Sequence, residues 1–480
     1  MSSTQPERIE STLTGEKEVD LLRRLERLPF SRVHMRLLVQ GGLGYTFDAA
    51  DGAIVAFILP AVAVAFHLQN AQLGLLGSAL LIGYLFGAFF AGTLGDLIGR
   101  KRVMLYALGI YTIASLIAAL SPGWQFLFAF RVLAGFGTGA EAAIIAPFLS
   151  EFVPGKYRGR YVGALAGFFS FGFVLAALLG YFVVTASPEG WRIVQGLTAL
   201  PILLVLWWRR SIPESPRWLL RRGRQEEATQ VVQRFEAEVE RSTRRPLPSL
   251  EGISVPQVRD VRGGSFVRNI VAIWGPGIAR STLMLWVLWF AITFSYYGFF
   301  TWIPTLLVKL GFTVTKSFTY SIIIYLAQIP GYYSAAFMSE KLDRKWTIVV
   351  YMVLGGIAAL LLSGARSAGL ITLYGFWLSF FMNGTYAAIY SYTPEVYPTG
   401  FRATGMGLAS AFGRVGGILA PLIIGFTFAR IGFGGVFTIT TIVLLIGALT
   451  VLALGIRTAG KTLEQIAAAE IGSTAKGAAL

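Results

Sequence analysis

The chain has 480 residues, 55% of them hydrophobic and 14% charged, with a mean hydropathy of +0.64 and a formal net charge of +16. A soluble domain of this length needs more polar surface than that composition supplies. The lack of cysteine excludes disulfides and thiolate chemistry, and two histidines, His34 and His67, are too few for a histidine metal cluster.

Residues 1–36 are polar and charged, with no apolar core followed by a small-residue cleavage site, so they are expected to be a tail and the first span to direct insertion. Apolar runs long enough to cross a hydrocarbon layer of about 30 Å then recur. Twelve begin near Leu37, Leu73, Val103, Trp124, Tyr161, Ile193, Ser281, Thr319, Thr347, Leu370, Ala403 and Gly434. The expected fold is therefore an all-α integral membrane protein, with one six-span unit over 37–210 and a second over 281–456. Between them, Arg224 to Glu240 places Ala228, Val231, Val232, Phe235 and Val239 on one face of an amphipathic helix. That helix, in the polar loop 211–280, reads equally well as a gate or as a tether between two halves. Residues 457–480 form the closing tail.

The positive charge is distributed by loop. Arg100, Lys101 and Arg102 share one loop, Lys156, Arg158 and Arg160 a second, and Lys341, Arg344 and Lys345 a third, while alternate loops are nearly bare. By the positive-inside rule the basic loops, and with an even span count both termini, are cytoplasmic. The charge is thus a topology signal with a secondary attraction to anionic lipid, not a nucleic-acid footprint.

Two local patterns repeat at one offset. Asp96 with Arg100 and Lys101 is echoed by Glu340 with Arg344 and Lys345, and Glu151-Phe152-Val153-Pro154 with Arg158 by Glu395-Val396-Tyr397-Pro398 with Arg402. The distance from Asp96 to Glu340, and from Glu151 to Glu395, is 244 residues. A duplicated, multiply spanning chain is the signature of a secondary transporter. The glycine pairs 83/87, 135/139, 163/167 and 413/417 are each four apart and open grooves for close helix approach. Gly135 to Gly139 also resembles a nucleotide loop, but no strand precedes it.

The loop Gly92-x-x-Gly95-Asp96-x-x-Gly99-Arg100-Lys101-Arg102 resembles the signature between spans two and three of the major facilitator superfamily, and Arg131 before a glycine-rich run resembles its fourth-span signature. Pro213-Glu214-Ser215-Pro216-Arg217-Trp218 is similar to the sugar-porter motif after span six. Its counterpart after span twelve is reduced to Gly460-Lys461-Thr462-Leu463-Glu464. Where sugar porters carry Gln-Gln-x-x-Gly-x-Asn in span seven, this chain has Ser295 to Pro304 with Tyr296, Tyr297, Phe299, Phe300 and Trp302. With Arg27-Leu28-Pro29, Asp48-x-x-Asp51 and Gly413-Arg414-Val415-Gly416-Gly417, that segment resembles the bacterial metabolite:proton symporters. These include nicotinate and aromatic-acid transporters and are related to synaptic vesicle proteins. The resemblance implies two pseudo-symmetric six-helix bundles, a cavity between them at the midplane, and alternating access. It also implies a gating role for Asp96, Arg100, Glu151, Arg158, Glu340, Arg344, Glu395 and Arg402.

Five ionisable residues fall inside spans: Asp48, Asp51, Arg131, Glu141 and Arg414. Each costs roughly 2.5–3.5 kcal/mol at a helix centre unless paired or wetted. Proton coupling requires a group whose affinity for H⁺ differs between states, and a carboxylate desolvated beside another carboxylate is such a group. Asp51 is the expected carrier, with Asp48 modulating it, Glu141 a further acid on span four, and Arg131 a counter-ion that pairs in one state only. The competing readings are a hydrated helix end for Asp48 and static helix–helix hydrogen bonds for Asp51 and Glu141. Arg414 suits a substrate carboxylate, and Tyr296, Tyr297, Trp302, Gln328 and Asn383 are further substrate-site candidates. The expected function is proton-coupled symport of a small organic anion, an aromatic or heterocyclic carboxylate, by an inner-membrane monomer with no cofactor and H⁺ as the coupling ion. Alternatives are a sugar or polyol symporter, an organic-cation or drug exporter, and a non-transporting receptor. No metal cluster or paired nucleophile and base marks an enzyme.

Overall fold

The structure, a computed structural model, describes residues 19–251, 266–275, 278–397 and 402–458, and every side chain among them except those at 96, 205, 206, 266–269, 402 and 403. The motif at Gly460 to Glu464, Pro398, and the side chains of the predicted gating residues Asp96 and Arg402 lie outside that description.

A short helix, α1 (19–26), precedes the first long one. A capping box starts α2 (Arg32–Ala65): the Ser31 hydroxyl accepts from the Val33 amide at 3.3 Å, and the Ser31 amide donates to His34 Nδ1 at 3.2 Å. There follow α3 (Asn70–Ile98), α4 (Arg100–Ala119), α5 (Trp124–Ser150) and α6 (Gly155–Val183), then a crossing broken into α7 (Gly190–Leu197) and α8 (Ile202–Ser211). Arg209 and Arg210 sit in the last turn of α8, where the helix dipole favours cations. The polar bridge contains α9 (Pro216–Arg221), α10 (Gln225–Thr243) and α11 (Phe266–Ile273). The second half runs through α12 (Ala279–Lys309), α13 (Val314–Leu326), α14 (Gln328–Leu342), α15 (Arg344–Ser363), α16 (Ala368–Val396) and α17 (Arg402–Leu454).

Among the described residues, nine helical stretches are long and apolar enough to cross a membrane. One of them, Thr404–Leu454, is two crossings joined at Gly432, whose φ of 61° breaks the helix. With α13–α14 and α16 this gives the all-α architecture expected. The helices begin up to six residues before the apolar runs, as Gly155 does before Tyr161, because the charged first turns that flank each run are themselves helical. α10 turns Ala228, Val232, Phe235 and Val239 inward, as its periodicity requires, and leaves Val231 half-buried.

Glycine governs the closest contact in the first half. The carbonyls of Val132 and Phe136 on α5 stand where β-carbons of Gly83 and Gly87 on α3 would be, and the carbonyls of Leu80 and Tyr84 stand against Gly135 and Gly139 in return. Two glycine pairs therefore interlock backbone to backbone. The 163/167 pair makes no such approach: Gly163 meets open space, and Gly167 only the Tyr333 hydroxyl at 3.7 Å.

Contacts between the halves lie toward the end away from the basic loops. Ser78 Oγ donates to the Ile418 carbonyl at 2.7 Å, Lys309 Nζ donates to Asn70 Oδ1 at 2.8 Å, and Phe57 packs on Phe318 and Tyr325. At the basic end, the ion pairs among the described residues stay within one half.

Candidate functional site

Asp48 and Asp51 lie on one face of α2, Arg131 and Glu141 on α5, and all four are at most 2% exposed. Arg131 Nη1 binds Asp51 Oδ1 at 2.7 Å, its Nη2 donates to the Asp51 carbonyl at 2.7 Å, and the Ser115 hydroxyl adds a bond to Oδ1 at 3.3 Å. One guanidinium thus holds both the side chain and the backbone of one residue. Glu141 points elsewhere on α2: a β-carbon at Gly44 would stand 2.6 Å from its Oε1. Gly44 is one turn from Asp48, so the second acid of α2 and the acid of α5 share a neighbourhood. Among the described residues, neither carboxyl oxygen of Asp48 or of Glu141 has a hydrogen-bond partner, whereas Asp51 is clamped. In this conformation the expected carrier is thus the partnered acid, and the acid expected to modulate it is unpartnered. Asp48 is also not the solvated helix end of the competing reading, because it is buried.

Arg414 sits on α17, in the second half. Its Nη1 donates to the Tyr297 hydroxyl at 3.1 Å and its Nη2 to that of Tyr84 at 3.4 Å, while the guanidinium carbon lies 4.3 Å from the Tyr84 ring centroid. Tyr84 belongs to α3, so this cation bridges the halves. Tyr386 and Tyr390 stack nearby at 6.3 Å, and the Tyr386 hydroxyl donates to Thr293 Oγ1 at 2.9 Å. A guanidinium flanked by phenol hydroxyls and aromatic rings is an arrangement suited to a planar ligand bearing a carboxylate.

The other predicted substrate residues divide. Tyr296 joins this cluster, packing against Tyr297 and Tyr386 and donating to Gln328 Oε1 at 3.3 Å. Gln328 lies at the break between α13 and α14 with its amide nitrogen unpartnered. Asn383 turns its amide to the Ser379 carbonyl of its own helix at 3.0 Å. Trp302 is fully buried and stacks on Phe428 at 6.2 Å, a packing role within the second half rather than a place in the tyrosine cage.

The loop residues pair within each half. Arg100 forms an ion pair with Glu151, and Arg344 with Glu395 at 3.1 Å. Arg158 does not meet Glu151; it binds Glu26 at 2.8 Å and the Val153 carbonyl at 3.1 Å. Glu340 is exposed, with no ion pair among the described residues. Glu151 also takes the Ser215 hydroxyl, and Glu214 Oε1 accepts from the Lys101 amide at 3.1 Å, so the Pro213–Trp218 motif caps the start of α4. Sequence reasoning missed Tyr84, Ser115 and Glu26. Tyr84 lies one residue from a glycine groove already singled out, the one local signal that a helix–helix contact passes there.

The chain matches the sugar (and other) transporter family over residues 41–469. It is 40% identical to the niacin transporter of Acinetobacter baylyi over 449 residues, 93% of this chain and all of the other. In fold it is similar to the inward open conformation of the xylose transporter of E. coli, with a TM-score of 0.70, 18% identity, and coverage of 91% of this chain and 99% of that one. A crystal structure of a D-xylose-proton symporter superposes with a TM-score of 0.68 and 18% identity, covering 88% of this chain and 98% of the other.

Proposed function

Because this chain belongs to the sugar (and other) transporter family, we propose that it carries a small organic anion, an aromatic or heterocyclic carboxylate of the nicotinate type, together with protons by alternating access. It is an integral membrane transporter of a small molecule and not an enzyme. The observation that carries the substrate class is Arg414: a permanent cation between the halves, ringed by phenols that a carboxylate and a planar ring can replace. The 40% identical relative is named for niacin, a pyridine carboxylate.

Proton coupling rests on the imbalance in the first half. The first half buries three carboxyls, Asp48, Asp51 and Glu141, but one guanidinium, Arg131, which among the described residues pairs with Asp51. Asp51 gives up Arg131 when it takes a proton; Asp48 and Glu141, without a counter-ion, are the groups through which that proton arrives. H⁺ is the coupling ion and no cofactor takes part. The basic loops and both termini face the cytoplasm of an inner-membrane monomer. Arg100–Glu151 and Arg344–Glu395 hold the loops of each half in place as the halves rock.

The test is purified protein in liposomes containing a trapped pH dye. Nicotinate or benzoate added outside is expected to acidify the lumen only when the protein is present. Acidification by sugars alone, or by organic cations alone, would overturn the anion reading, and tight binding without proton movement would overturn coupling.

A further inference from the structure

Outside the crossings, the start of α2 and the outer face of α10 enclose a hollow of about 590 Å³ lined by Arg32, Arg36, Arg234 and Arg241 with Glu238 and Ser242. Arg32 and Arg36 are one turn apart on α2, and Arg234, Glu238 and Arg241 follow at four and three residues on α10, so each helix presents its arginines on a single face. Glu238 joins the two faces, binding Arg36 at 2.6 Å and Arg234 at 3.3 Å. Arg241 Nε donates to the Ala237 carbonyl at 3.1 Å, Arg32 has no ion pair among the described residues, and the Ser242 hydroxyl is buried without a partner. One carboxylate answers four guanidiniums. The contrast is nearby, where Arg24 and Arg27 share the buried Glu236 and one positive charge is left over against three here.

The face of α2 that carries Arg32 and Arg36 continues with Met35 and Val39, which are 47% and 40% exposed. Exposed apolar side chains on a crossing helix, directly beside a ring of arginines, match a molecule with a phosphate at one end and a hydrocarbon chain at the other. We propose that this hollow binds the phosphate of an anionic membrane phospholipid of the phosphatidylglycerol or cardiolipin class. The acyl chain lies along Met35 and Val39, and the headgroup bridges α2 to α10. The guanidinium forks of Arg32 and Arg241 contact the phosphate oxygens, and Ser242 donates its hydroxyl.

Native mass spectrometry of the full-length protein tests this with three probes: phosphatidylglycerol, phosphatidylcholine and the soluble headgroup glycerophosphoglycerol. Wild type is expected to bind phosphatidylglycerol about tenfold more tightly than phosphatidylcholine. The Arg32→Gln/Arg241→Gln variant should lose that preference, while Arg366→Gln, at the opposite end of the molecule, should keep it. Equal binding of the two lipids by wild type overturns the proposal with no variant needed. So does competition by glycerophosphoglycerol at equimolar concentration, which would mark a site for soluble phosphate esters. Should the double variant fold poorly, Arg241→Gln alone, on an exposed helix face, must still weaken phosphatidylglycerol binding, and unchanged binding rejects the site.

Discussion

In the first half Arg100 pairs with Glu151 and Lys101 Nζ reaches the Arg209 carbonyl near the end of α8; 244 residues on, Arg344 pairs with Glu395 and Lys345 Nζ reaches the Gly455 carbonyl after α17. Both loops also turn through positive φ before the next helix, at Gly99 (104°) and at Asp343 (79°). The caps differ: Glu214 accepts the Lys101 amide in the first half, whereas Asp343 accepts the Lys345 amide with its own carboxylate at 2.8 Å and the Thr458 amide at 3.0 Å. Glycine suits position 99 because a φ of 104° strains any other residue, and the Glu214 carboxylate lies where a β-carbon would be. Inside the crossings the halves part company. The first holds Asp48, Asp51, Glu141 and Arg131; the second holds Arg414 among tyrosines. Duplication kept the joints and let the interiors diverge, so the joints identify the fold and the interiors carry the chemistry.

The strongest way to break this contrast is to remove each half's cation. Arg131→Ala leaves Asp51 buried and unpaired and is expected to destabilise the protein by about 3–5 kcal/mol. Arg414→Ala removes bonds to neutral phenols and should cost below about 1.5 kcal/mol. Thermal unfolding in detergent measures both, and equal losses would erase the distinction. Transport sharpens it further. Asp51→Asn is expected to abolish uphill accumulation under a pH gradient while leaving counterflow exchange, and unchanged accumulation would remove Asp51 as carrier. Arg414→Lys, which loses the bidentate fork, should leave coupling intact and raise half-saturation for the carboxylate about tenfold, some 1.4 kcal/mol.

The joints offer a smaller test. Glu151 is the more buried of the two loop acids and also holds Ser215, while Arg344–Glu395 is about a quarter exposed. Glu151→Gln is expected to cost about 1–2 kcal/mol and Glu395→Gln below about 1 kcal/mol. The reverse order, read by the same thermal assay, would mean the halves are not braced alike. The smallest effect concerns Glu236. Burial raises its proton affinity, but hydrogen bonds from Arg24 and Arg27 outweigh burial and bring its pKa below the ordinary 4.5. Docking of α1 is therefore fully stabilised above pH 4.5 and loosens as pH falls through the lowered value. Hydrogen exchange at residues 19–26 should rise only in that acid window, and a rise near pH 6 would contradict it.

The fold was legible because membrane insertion writes itself into composition: apolar length, loop charge and the 244-residue offset each report a backbone constraint. Within the site, spacing correctly put Asp48 and Asp51 on one face, but it could not say which would meet Arg131, since helix rotation and tilt decide that. Trp302 misled for a related reason: its neighbours in sequence form an aromatic cluster, yet its ring turns toward Phe428. Tyr84 escaped because its one local signal, the neighbouring glycine groove, reports a helix contact within the first half and not the partner from the other half that is placed against it.

The interlocked glycines of α3 and α5 bear on more than packing. Carbonyls seated in the place of missing side chains bring these helices together backbone to backbone, so a side chain at any of the four glycines would push them apart. Midway along α3, inside the interlock, Tyr84 touches Arg414; along α5 lie Arg131 and Glu141. The contact of α3 with Arg414 and the buried charges of α5 are thus joined through backbone-to-backbone packing, with no layer of flexible side chains between the two helices.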